Sequence, residues 1–329
     1  MGDPGEVIAL TTRPVRFTEN GAPDRDDVAT AVALITACDV AAIGEPDTGP
    51  ADVGALLSIP TMDRDASFLV LEGDTVVGVA WVENDVDGRD TFIEVFSPPG
   101  PRAREVLDLG LTRGLEAARR HRQAAPEGAG WTARSGCWLA DAAYAEAITA
   151  HGLTPSRIFY RMRIASSSPQ VPAVMPPLPD GVEIVVADDE VTHRRILAVD
   201  NDSFAEHYNF TPREYDAWWA HWSAGTTRDP AGWWLLTVDG QDAAICLLDE
   251  SRAEIGDGYV AVLGVRVPYR GRGLAQLLLR RAFVHYRELG RAGTQLGVDA
   301  ENATGAVRLY ESVGMSVTRV LQGYSRPIP

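Results

Sequence analysis

The residues best suited to chemistry stand close together near the C-terminal end. Arg270-Gly-Arg-Gly-Leu-Ala275 separates an apolar run, Tyr259 to Val267, from a segment whose apolar residues recur at Leu274, Leu277, Leu278, Ala282 and Leu289. The run reads as a strand buried on both faces and ended by Pro268, and the spacing after it predicts an amphipathic helix. Glycines at a helix N-terminus leave backbone N–H groups facing outward, where the helix dipole favours an anion, so the turn suits a diphosphate. Gly-x-Gly alone is a weak signal. A dinucleotide-binding βαβ unit with Asp299 at the ribose is one alternative. It fails because Pro-Tyr-Arg intervenes between strand and glycines and too little chain follows Asp299 to complete a doubly wound sheet. Candidates for accepting a proton nearby are Glu206, His207, Glu254 and Asp257. His207 and His221 lack short ligand spacing, and Cys38, Cys137 and Cys246 form neither a CxxC pair nor a disulfide framework, so no metal site is expected.

These residues need a scaffold, and the apolar spacing supplies one twice. The first half reads as a helix over Asp26–Cys38, a polar loop from Gly44 to Gly54, a hairpin of Ser67–Glu72 and Val76–Glu83, and a strand Thr91–Phe96. A long helix Arg102–Arg122, a short strand near Trp131, a helix Asp141–His151 and a strand Arg157–Ile164 follow, while a further strand is expected around Val15–Phe17. Residues 166–180 hold five prolines and three serines in fifteen positions and read as a semi-extended linker. Beyond it the same order returns: strand Val182–Val186, helix His193–Phe204, an aromatic loop and helix, hairpin Trp233–Val238 and Ala243–Leu248, and then the strand–turn–helix. Strand Thr294–Ala300, helix Thr304–Ser312 and strand Gly323–Ile328 complete it. The repeat predicts an α/β fold of two similar domains, 1–165 and 181–329, joined by 166–180. Only the second carries the glycine turn. In the first, Ser97-Pro-Pro-Gly-Pro101 deletes the N–H donors a diphosphate needs, and Ile148 stands where the second has Tyr310.

Arg270-x-x-Gly273-x-Ala275, following a strand that ends Leu263-Gly-Val-Arg-Val267, resembles the Q/R-x-x-G-x-G/A signature of the GNAT acetyltransferases. Asn302-Ala-Thr-Gly-Ala-Val-Arg-Leu-Tyr310-Glu-Ser-Val-Gly314-Met315 resembles their second signature, with Met315 where the family has Phe. The paired match covers essentially all of 181–329, and the order of the two copies is similar to that of tandem-GNAT proteins, the group that includes mycothiol synthase. The resemblance implies two tandem GNAT-like domains, the first degenerate and the second catalytic, each a mixed central β-sheet flanked by helices. It further implies transfer of an acetyl group from acetyl-CoA to a primary amine of a small molecule within a ternary complex. On this resemblance the diphosphate lies on Gly271, Gly273, Leu274 and Ala275 with Arg270 and Arg272 beside it, and Leu263, Val265, Val267 and Asn302 receive the pantetheine arm. Gly264 marks a bulge that aims an N–H at the thioester carbonyl, and Tyr310 is the general acid for the departing thiolate. Many relatives place a carboxylate on the central strand near the position Tyr259 holds here, so Asp257 and Glu206 are put forward as the base. The aromatic loop Asp202–Trp222 is expected to line the acceptor pocket. Two other functions are open: a regulatory protein that binds acyl-CoA without turnover, suggested by the unmarked base, and a protein or peptide N-acetyltransferase, which would need a wider cleft.

Composition bounds the rest. A chain of 329 residues with 45% hydrophobic content can bury two cores, and a formal charge of −16 excludes a phosphate-driven nucleic-acid partner while attracting a cationic small molecule. No apolar run is long enough for a membrane span. The opening Met-Gly-Asp-Pro-Gly-Glu has neither the basic nor the apolar region of a secretion signal, so a cytoplasmic protein is expected.

Overall fold

The computed structural model describes residues 8–85, 89–126, 130–206, 210–224, 227–301 and 305–329. Two compact units emerge, the first assembled from two separate stretches, Met1–Ser156 and Gln322–Pro329, and the second from the stretch between them, Arg157–Leu321. These cuts differ from divisions at 165 and 181 because the chain exchanges strands. The strand that ends the first copy belongs, from Arg157 on, to the second unit, and the last eight residues return to the first.

The first unit holds β1 (Leu10–Pro14), α1 (Arg25–Ile43), α2 (Pro50–Ser58), β2 (Phe68–Glu72), β3 (Thr75–Asp85) and β4 (Asp90–Phe96). Then come α3 (Ala103–Ala124), β5 (Thr132–Trp138) and α4 (Ala142–Ala150). β1 to β4 pair antiparallel in sequence order, and β4 pairs parallel with β5 over Asp90–Phe92. Asp24 caps α1 by accepting from Asp26 N and Asp27 N, and Gly44, at φ 84°, ends it. The stretch read as a polar loop contains α2, for which Pro50 supplies a fixed φ in the first turn. α3 lies close on β3 and β4 because Gly110 and Gly114 lack side chains; a Cβ there would come within 2.6 Å and 2.4 Å of Val95 and Ile93. Tyr324 and Ile328 from the returning C-terminus are buried in that same core, and Ile328 N donates to Trp131 O at 2.8 Å.

The second unit opens with β6 (Thr154–Ala165) from Arg157 on. It continues through β7 (Val182–Val186), α5 (Glu190–Phe204), α6 (Tyr215–Ser223), β8 (Arg228–Val238), β9 (Gln241–Asp249) and β10 (Asp257–Val265). Last come α7 (Leu274–Glu288), β11 (Gly293–Asp299), α8 (Ala306–Ser312) and β12 (Ser316–Pro327) up to Leu321. Its strand order is β12-β6-β11-β10-β9-β8-β7, with β10 and β11 parallel and β6–β11, β10–β9, β9–β8 and β8–β7 antiparallel. Residues 166–181 hold neither helix nor strand, yet Val171 is buried in the core and the Arg281 and Arg287 guanidinium groups donate to Pro176 O, Pro172 O and Ala173 O. The proline-rich segment is thus strapped across α7. Two local expectations change: β1 lies at Leu10–Pro14 rather than around Val15–Phe17, and β10 ends at Val265. No helix among the described residues is long and apolar enough to cross a membrane, and no cluster of potential metal ligands occurs among them.

Candidate active site

β10 and β11 share register only over Asp257–Gly293, Gly258–Thr294 and Tyr259–Gln295. Past Tyr259 each strand stays paired on its outer side, β10 with β9 as far as Val265 and β11 with β6 as far as Asp299. The two therefore part like a wedge. Two features hold its apex. Tyr286 on α7 lies flat on Gly258, where a Cβ would come within 2.1 Å of its ring, and its hydroxyl hydrogen-bonds Asp249 N and lies within bonding distance of Tyr259 O. The bulge in β10 falls between Val260 and Val262, not at Gly264. Gly264 serves packing instead, since a Cβ there would stand 3.0 Å from Ser203 Cβ on α5.

A cavity of about 400 Å³ borders β10 where it has parted from β11. Leu263 and Val265 of β10 form one wall, Gly271, Gly273, Leu274 and Ala275 one end, Ala306, Leu309 and Tyr310 of α8 another wall, and Ser203 and Phe204 of α5 a rim. Gly271 and Gly273 sit at φ 75° and 78° with open space where a Cβ would project, so conformation rather than crowding requires glycine there. Gly273 is the N-cap of α7 and offers no side-chain cap, leaving the first amides of a 15-residue helix available at the cavity end. This arrangement fits a diphosphate.

The remaining sequence candidates divide. Tyr310 is buried and lines the cavity, and burial pushes its phenol up to about 12, helped by Cys246 and Tyr259 nearby. Arg270 lines the cavity, with its guanidinium engaged across it: Nε donates to Val265 O at 3.1 Å, NH2 to Ser203 O at 3.0 Å and NH1 to Glu206 Oε2 at 2.9 Å. It clamps α5 to β10. Glu206 is consequently an exposed partner of Arg270 and does not line the cavity. Asp257 is not brought to the cavity either. It sits at the closed end of the wedge with one oxygen on Arg163 NH2 (2.8 Å) and the other shared by Arg163 Nε and Gln295 Nε2 (2.6 Å each), a buried ion pair off the cavity lining. Val267 lies in a one-turn 3-10 segment, 54% exposed and off the cavity, because β10 has already ended. Arg272 lies over the Tyr269 ring at 5.2 Å. Glu254 precedes β10 and is not at the cavity. Asn302 and His207 lie outside the described residues.

The tryptophans of the aromatic stretch behave as core. Trp218 is fully buried against Trp233, and Trp219 stacks on His193 with centroids 4.5 Å apart, so these rings pack α6 onto α5 and the sheet instead of lining the cavity. Ser203 and Phe204, at the start of the stretch Asp202–Trp222, do line the cavity, because the close approach of α5 to Gly264 brings them there, whereas Tyr269 lines it without any spacing signal that marks it. Gln276, also at the cavity, donates to Ser312 Oγ at 2.9 Å and ties α7 to α8.

Comparison with known proteins agrees with this geometry. The model of the Acetyltransferase (GNAT) family matches residues 194–315, within the unit that holds the cavity. A mycothiol acetyltransferase of Thermomonospora curvata is 29% identical over 308 residues, 91% of this chain and 94% of that protein. One of Streptomyces avermitilis is 30% identical over 255 residues, 76% of each. The crystal structure of a GCN5-related N-acetyltransferase from Sphaerobacter thermophilus superposes with a TM-score of 0.77 at 25% identity, covering 97% of this chain and 95% of that one. The wedge between parallel strands, the glycine turn and the match over most of the chain's length agree, and the chain belongs to the acetyltransferase (GNAT) family.

Proposed function

We propose that this acetyltransferase moves an acetyl group from acetyl-CoA to a primary amine of a small molecule, with both substrates bound together in the second unit. The observation that carries the reading is the wedge itself: an uncapped helix end at Gly273, an apolar wall at Leu263 and Val265, and a buried phenol at Tyr310 border one cavity. Bound there, acetyl-CoA supplies an activated thioester. The amides following Gly271 and Gly273 hold the diphosphate through hydrogen bonds and the helix dipole. Leu263 and Val265 exclude water from the arm, while Arg270 keeps α5 in place as the cavity rim. Tyr310, protonated throughout the physiological range because burial disfavours the phenolate, holds the proton that the leaving sulfur needs. The relatives' name, mycothiol acetyltransferase, supports an acceptor of small-molecule size.

Thiol release from acetyl-CoA, followed over a panel of small amines, tests this. Robust turnover with at least one amine is expected. Tight CoA binding with no thiol release on any amine or peptide would point to an acyl-CoA-sensing protein, and failure to bind CoA in calorimetry would remove the reading.

A further inference from the structure

Ser203 stands at the rim of the cavity, near the C-terminus of α5, and is 4% exposed. Its Oγ has no hydrogen-bond partner. That is unusual within this chain. Thr30, Ser58, Thr149 and Ser223, also on helices or at their ends, each satisfy their hydroxyl on the carbonyl four residues earlier, the ordinary local solution for a helical hydroxyl. A buried hydroxyl left unpaired is costly, and such groups are usually satisfied by something else. Ser203 is also held in place with care. Arg270 NH2 donates to its carbonyl at 3.0 Å while Arg270 Nε donates to Val265 O at 3.1 Å, so one guanidinium fixes Ser203 against the strand that walls the cavity. Gly264 leaves the space it needs, since a Cβ there would lie 3.1 Å from Ser203 Oγ.

We infer that Ser203 Oγ donates a hydrogen bond to a carbonyl of the pantetheine arm, and that Arg270 is the positioning residue that aims it. The inference rests on the acetyl-CoA reading above. Pantetheine is an extended chain carrying two amides, and an arm running from the Gly271–Gly273 turn along β10 toward Tyr310 passes Gly264 on its way. A hydroxyl can donate where a strand edge offers only fixed main-chain groups. Arg270, whose place before the glycines suggested phosphate binding, thereby acts on the arm through Ser203.

Calorimetry on the full chain tests this with two probes: CoA, and adenosine 3′-phosphate 5′-diphosphate, which is CoA without its pantetheine arm. Ser203→Ala is expected to weaken CoA about 5- to 10-fold and to leave the nucleotide within about twofold of wild type. Ser203→Cys, similar in shape but a weak donor, is expected to fall between the two. Equal losses for both probes would mean that Ser203 only shapes the fold, and unchanged CoA affinity in Ser203→Ala would mean that the hydroxyl makes no such bond; either overturns the inference and leaves the acetyl-CoA reading intact. Wild-type protein that binds neither probe removes both.

Discussion

At the scale of single residues, Tyr310 and Asp257 show how burial sorts candidates of similar appearance. Both are polar groups in the core of the second unit. Asp257 has its oxygens engaged by Arg163 and Gln295, whereas Tyr310 borders the cavity with its proton retained. Tyr310→Phe keeps the ring and removes only the hydroxyl, so kcat is expected to fall roughly 100-fold while CoA affinity stays within about twofold, measured by steady-state kinetics and calorimetry. A change in CoA affinity alone would assign the hydroxyl to binding. The raised phenol also has a consequence for stability. An unfolded tyrosine ionises near pH 10, earlier than the folded one, so above that pH the unfolded chain releases protons the native state keeps. The contribution of Tyr310 is complete below about pH 10 and is lost as pH rises toward 12. Denaturant midpoints recorded from pH 8 to 11 are therefore expected to decline above pH 10, less steeply in Tyr310→Phe.

At the scale of elements, the parting of β10 from β11 is what makes a site, and α7 sets its two ends. Its N-terminus supplies the uncapped amides, and its Tyr286 seals the closed end against Gly258. Gly258→Ala places a methyl where the Tyr286 ring lies, and a loss of about 1–3 kcal/mol or more is expected in chemical denaturation, without the cavity lining being touched. Gly273→Ala acts at the other end. Its φ of 78° costs an alanine about 1–2 kcal/mol, or tilts the first amides away from the anion. The expected result is an approximately tenfold rise in KM for acetyl-CoA with little change in kcat, and a variant with unaltered KM would show that the turn does not hold the diphosphate. The glycines and the helix stripe were legible in the sequence because both are local signals. The bulge at Ala261 was not, because a bulge is a property of pairing with β9 and no residue type announces it. The tryptophans of the aromatic stretch misled for a related reason: they suit a pocket and a core equally, and only packing against Trp233 made them core.

At the scale of the whole molecule, the return of the C-terminus means that the first unit depends on residues far away in sequence. Removing residues 322–329 takes Tyr324 and Ile328 out of the first unit's core, although they follow the second copy in the chain. A chain ending at Leu321 is expected to unfold its first unit at least about 2 kcal/mol more easily, visible as an earlier transition in proteolysis or hydrogen exchange over β5 and α3. Truncation that leaves those elements equally protected would show that the C-terminal residues add nothing there. By itself, the sequence determined what rests on near neighbours: the repeated order of elements, the glycine turn before α7, the loss of that turn's donors in the first copy, and the pairing of two short signatures that named a family. The tertiary structure decided what depends on which distant residue comes to lie opposite. It joined Arg270 to α5, closed Asp257 in an ion pair with β6, and brought Ser203 to the cavity. Hydrogen-bond partners of side chains are chosen by folding across long stretches of chain, and no local spacing encodes them.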